Sequence, residues 1–277
     1  MNYRTDLVIE NERQINEDLS GIQSNTKDFD GAILNTIKIT NRSAAKQLSR
    51  PLGSYYTVEF PKLESVCDFS GIKGACIFAL ESLFKGKALN KIMVVGLGNI
   101  DITPDALGPK TATKILATRH LSNELKKALN LSDLKSVSVL IPGVLGKTGI
   151  EAHDTVKSAV KFVSPDAIIL IDALAAVEPS HLCTTLQLTD AGINPGSGVQ
   201  NARKGFSFTD FKIPVIAIGM PTVIDASSYS NKTDHHNMMV TPKDIDMLID
   251  KASTLLSEIL NEFLQPSIDS EVIKCLT

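Results

Sequence analysis

Four short runs, residues 92–95, 136–141, 167–171 and 215–219, are rich in Val and Ile and contain no charged residue. They constrain the fold more than anything else in the chain. A strand that is apolar on both faces must be covered on both, which is the situation of a parallel sheet between two layers of helices. The intervening text supplies the helices. Residues 151–163 put Ala152, Val156, Ala159, Val160 and Val163 on one helical face, and Thr148 to Glu151 has the spacing of a capping box. A longer stripe follows near the C-terminus, running from Ile245 through Leu248, Ala252, Leu256 and Leu260 to Phe263. Thr241 is its expected N-cap, with Pro242 at the first helical position and Asp244 in the first turn. Before Lys91 the chain is more polar, and alternating segments at 32–40 and 55–60 predict antiparallel strands. The expected fold is α/β, a doubly wound, largely parallel sheet flanked by helices, with a smaller antiparallel N-terminal region. One domain over 1–277 is expected, with that region at 1–90 and the α/β core with its C-terminal helix at 91–277.

Charge and composition remove several functions. Twenty-eight Lys and Arg against 31 Asp and Glu leave a net charge of −3, which provides no general attraction for nucleic acid or anionic lipid. No apolar stretch approaches the roughly 20 residues that span a bilayer, and the N-terminus is polar, so a cytoplasmic location is expected. Cys67, Cys76, Cys183 and Cys275 are scattered without a CxxC pair, the pattern of core thiols in a reducing compartment.

In an open α/β sheet the reacting groups collect at the carboxyl ends of the strands. After the first run come Gly96-Leu-Gly98 and then Thr103-Pro-Asp105; the third glycine of a dinucleotide fingerprint is missing, because Asp101 occupies its place. Asp105 suits a helix cap or turn as well as a chemical role. Asp172 directly continues an apolar run and precedes four more apolar residues, so its carboxylate is either a cap or a functional group. Two carboxylates raised on neighbouring strands cannot both ionise cheaply, and such a pair holds a proton for acid/base work. With His120 or His153 they could instead ligate a divalent cation. Gly192, Gly196 and Gly198 around Pro195 make a loop whose backbone N–H groups can approach an extended chain, or else a plain solvent loop. Asp225, after the fourth run, ranks below Asp105 and Asp172. Ser197 lacks a G-x-S-x-G elbow and Cys183 lacks an activating base, so neither makes a convincing nucleophile.

Longer strings add a resemblance. Tyr3-Arg-Thr-Asp-Leu7, Thr103-Pro-Asp-Ala-Leu-Gly-Pro109, Pro142-Gly-Val-Leu-Gly-Lys-Thr-Gly-Ile-Glu151, Ile171-Asp-Ala-Leu-Ala-Ala176 and Asn194-Pro-Gly-Ser-Gly198 closely resemble the germination proteases of spore-forming bacteria. Residues 214–225 and 238–246 extend the likeness over nearly the whole chain. The resemblance implies an aspartate-dependent endopeptidase with a fold similar to the hydrogenase-maturation endopeptidases. It carries the two essential aspartates onto Asp105 and Asp172, with no cofactor and no metal. It also implies small acid-soluble spore proteins as substrate, a zymogen that loses a short N-terminal segment, and a homotetramer in the forespore. Because the Arg-Thr-Asp-Leu string begins at residue 4, little chain is expected before it, and a cut just after it is the maturation site left open. Gly196, Ser197, Gly198 and His181 are the expected substrate-contacting residues. Val177 and His181 stand where the family carries basic side chains, and Gln200 stands at a glycine position. These departures imply either an altered substrate preference or a diverged, non-catalytic peptide-binding copy; a metal-assisted maturation-type peptidase is the remaining alternative.

Overall fold

The computed structural model describes residues 5–13, 20–87, 89–128, 131–194, 204–226 and 238–277. Among them nine strands form one sheet: β1 (Ile22–Phe29), β2 (Ala32–Ile39), β3 (Gly53–Glu59), β4 (Lys91–Gly96), β5 (Ser136–Leu140), β6 (Ala167–Ala176), β7 (Thr185–Thr189), β8 (Val215–Asp225) and β9 (Met239–Val240). Their order is β1-β2-β3-β7-β8-β6-β4-β5, with β9 paired to β8. The four apolar runs are the parallel part, β8-β6-β4-β5. The polar N-terminal third supplies the antiparallel part, and it continues into the same sheet through β7, whose Gln187 lies opposite both Thr57 of β3 and Gly219 of β8.

Alternation along β6 sorts the core into two layers. Ile169 and Ile171 face the helices Ser70–Leu83, Leu107–Ala112 and Ile245–Leu264, packing with Leu80, Leu107, Leu256 and Leu260. Ile168 and Leu170 face the Ala152–Val163 helix together with Phe206 and Phe211. The sheet is therefore wound on both sides, as its apolar strands require.

Several local expectations are corrected. The apolar runs ending at 171 and 219 stop short of the real strand ends, because β6 and β8 pair with each other to Ala176 and Ile224. The capping box does not form: Thr148 donates its hydroxyl to the Val144 carbonyl, and Glu151 is an N-cap without a side-chain bond. Thr241 likewise donates to the Thr222 carbonyl, so the long helix starts only at Ile245. In both cases a nearby carbonyl takes the hydroxyl that the local pattern assigned to a helix end. Cys76 and Cys183 are buried, whereas Cys67 and Cys275 are exposed.

Candidate active site

The pairing of β4 with β6 stops at Gly96 and Ile171, and the Leu97 N–H closes it with a 2.8 Å bond to the Ile171 carbonyl. There β4 leaves the sheet while β6 and β8 continue. Asp172 is thus the first β6 residue without a β4 neighbour, on the same side of the strand as Ile168 and Leu170. It is only 5% exposed, and its Oδ1 accepts the Ala173 N–H at 3.0 Å.

The departing chain brings the second carboxylate back to this point. Gly98, at φ +116°, lets the backbone turn, and a short 3-10 turn at Thr103–Asp105 follows. The Asn99 N–H donates to Asp105 Oδ2 at 2.7 Å, so Asp105 is held by its own loop and does not cap the Leu107–Ala112 helix. A Cβ on Gly98 would lie 2.1 Å from the Asp105 carbonyl oxygen. The Gly-Leu-Gly turn, too short for a nucleotide motif, is the seat of this aspartate.

A bulge completes the support. The register of β6 against β8 shifts between Leu174 and Ala175, leaving Thr222 as the extra residue of β8. Bulges re-aim side chains. Here the Thr222 hydroxyl donates to the Pro104 carbonyl at 2.7 Å, tying the turn that carries Asp105 to the strand beside Asp172.

Asp105 and Asp172 line one cleft of about 450 Å³, with Asp6, Asn99, His153 and Thr222 among its other walls. A second hollow of about 500 Å³, lined by Arg50, Gln187 and Asp190, shares Asp6, Leu174 and Phe206 with the first. The two hollows adjoin at these shared residues and are together termed the groove. Sequence reasoning missed Asp6 and Thr222 as site residues. Asp6 was visible within the Arg4-Thr-Asp-Leu7 string, whereas Thr222 is selected by a bulge that has no local signal.

Asp6 reaches the groove because the segment around it is docked on β6. Its N–H donates to the Ala175 carbonyl and its carboxylate accepts the Ala175 N–H, both at 2.8 Å. Leu7, Val8 and Ile9 are buried. Glu10, 1% exposed, accepts the backbone N–H groups of Val177 and Glu178 and lies 2.8 Å from His181 Nδ1. Burial acts to raise the Glu10 carboxyl, but hydrogen bonds from His181, Thr5, Glu178 and Val177 outweigh it and hold the group below its usual range. Burial likewise acts to lower His181, but hydrogen bonds to Glu10 and Glu59 and the charges of Glu10 and Glu178 raise it to about 9.

The other expected residues are dispersed. His181 is 2% exposed, sits between Glu10 and Glu59, and lines neither hollow; it anchors the N-terminal segment. Asp225 lies opposite Met239 at the end of β8, outside the cleft, and His120 is on the surface. Gly196, Ser197 and Gly198 lie outside the described residues, whose flanks Asn194 and Lys204 line the two hollows. Among the described residues no group of three His, Cys, Asp or Glu side chains is placed to hold a metal ion.

Residues 4–235 match the family model described as germination protease. The chain belongs to the germination protease family. A germination protease from Caldanaerobacter subterraneus subsp. tengcongensis is 33% identical, over 97% of this chain and 96% of the relative. One from Clostridium perfringens is 31% identical over 98% of each, and one from Priestia megaterium is 40% identical over 82% of this chain and 63% of its own length. A [NiFe] hydrogenase maturation protease, HycI, from Thermococcus kodakarensis KOD1 superposes with a TM-score of 0.41 and 18% identity, over 67% of this chain and 98% of its own. Membership makes the chain a peptidase of spore germination, and the groove is its candidate active site.

Because Gly98 seats Asp105, Gly98→Ala tests the site's geometry. The added Cβ would push the Asp105 turn aside, and a displacement of about 1 Å costs on the order of 10²-fold in rate. Peptidase assays should show that loss; a Gly98→Ala protein with unchanged kcat/KM would remove the seat from the account.

Proposed function

We propose that this germination protease is an endopeptidase that degrades small acid-soluble spore proteins, with Asp105 and Asp172 as an acid/base pair acting on water. The observation that carries the reading is that both carboxylates line one cleft, each brought there by a separate strand end. One carboxylate takes a proton from the attacking water. The other, protonated, delivers its proton to the leaving amine, so the pair returns to one shared proton when the products separate. Two adjoining hollows suit a polypeptide bound in extended form, with the reacting bond over the aspartates.

The same reading places the protein in the cytoplasm of the forespore, as a homotetramer made as a zymogen, with no nucleic acid or membrane partner. Among the described residues no helix is long and apolar enough to cross a membrane. The docked segment around Asp6, which lies in the groove itself, suits a zymogen whose N-terminus must be rearranged before substrate enters. Purified protein incubated with an acid-soluble spore protein, with the fragments identified by mass spectrometry, tests the reading. It should yield defined internal cuts, and an intact substrate after prolonged incubation with protein lacking the segment through Leu7 would refute it.

A further inference from the structure

The helix that begins at Ala152 places His153 in its first turn, against the groove. The imidazole is clamped: its centroid lies 5.4 Å from that of Phe206 and 5.3 Å from that of Phe211, two rings that stack on each other. Its Nδ1 lies 3.2 Å from Asp154 Oδ1, and Lys204 Nζ holds both oxygens of that carboxylate at 2.9 Å. A carboxylate only accepts, so Nδ1 carries a proton, and in the tautomer with that single proton Nε2 is an acceptor. The residue is 7% exposed, and among the described residues no hydrogen-bond donor meets Nε2. Because Nε2 is not itself fully buried, it is the part of the ring open to the cleft, where a bound ligand can supply its donor.

Resting on the peptidase reading above, the geometry points to His153 as a substrate-positioning residue whose Nε2 accepts a backbone N–H of the bound polypeptide beside the aspartates. A main-chain N–H is the donor that an extended chain offers at every register, whatever its side chains. The aromatic clamp and the Asp154 and Lys204 tether fix the ring, so little freedom is lost when the bond forms. His153 itself transfers no proton in this account; it fixes where the chain lies.

The test uses a peptide spanning a cut located in the acid-soluble spore protein, together with a series in which one amide at a time is replaced by an ester, which removes a single N–H. For the wild type, one ester position near the scissile bond should raise KM about 10-fold. His153→Phe, which keeps a ring against Phe206 and Phe211, should raise KM for the all-amide peptide by a similar factor, with kcat within about 3-fold, and should be indifferent to the ester at that same position. His153→Gln, which restores an acceptor, should recover the sensitivity, and His153→Leu is a second apolar variant should the His153→Phe protein not fold. A purely structural role cannot remove the response to one backbone atom of the substrate. The inference is overturned if all variants share the wild-type ester profile, or if His153→Phe lowers kcat with KM unchanged. Failure of the wild type to cut the peptide at all would instead overturn the peptidase reading on which it rests.

Discussion

Asp172→Asn and Asp105→Asn are each expected to lower kcat/KM on acid-soluble spore protein by about 10³-fold or more, with melting temperature nearly unchanged. Asn keeps the shape of Asp and retains an oxygen for the backbone N–H each carboxylate now accepts, from Ala173 and from Asn99. What it cannot do is take or give the proton. Because the proposed acid/base pair acts as a unit, the double variant should be scarcely worse than either single one. Progress curves on equal amounts of folded protein, with circular dichroism melts alongside, decide the matter. Parental activity in either variant would strip that residue of its role.

The second large effect concerns the anchor of the N-terminal segment. Glu10→Ala should destabilise the fold by about 3–5 kcal/mol, since it removes the Nδ1 acceptor of the buried His181 imidazolium and the acceptor of two backbone N–H groups. For a chain of this size that is a fall of roughly 10 °C in melting temperature. The pH dependence follows from the same pair. His181 is raised from 6.5 to about 9 in the folded protein, so its contribution is full below about 6.5 and is lost as pH climbs through about 9. Glu10 is held below 4.5, so its contribution is present above 4.5 and is lost as pH falls through its lower folded value. Urea unfolding at pH 6.5 and 9 should show stability declining in the parent and much less so in Glu10→Ala. Parallel declines would show that another group controls alkaline stability.

Much of this architecture is legible in the chain's own text. Uninterrupted apolar runs at β4, β5, β6 and β8 specify a sheet covered on both faces, because no other arrangement keeps both sides of such strands from water. The stripe from Ile245 to Leu264 specifies a docked helix for the same reason. Asp105 and Asp172 were readable as candidates because they break apolar context at strand ends, and the Arg-Thr-Asp-Leu and Thr-Pro-Asp-Ala-Leu-Gly-Pro strings named the family. His181, expected among the substrate contacts, is buried beside Glu10 instead of lining the groove. A lone histidine carries no sign of the burial that pairs it with Glu10, 171 residues away.

Periodicity in the sequence determined which residues are hidden from water, because burial of apolar side chains is a property that each element carries by itself. Only the tertiary structure decided which polar groups meet. β4 ends one residue before Asp172, a bulge turns Thr222 toward the Asp105 loop, and the N-terminal segment docks on β6 to bring Asp6 into the groove. Each depends on hydrogen-bond geometry between segments far apart in the chain, where direction and distance matter and local pattern carries no information.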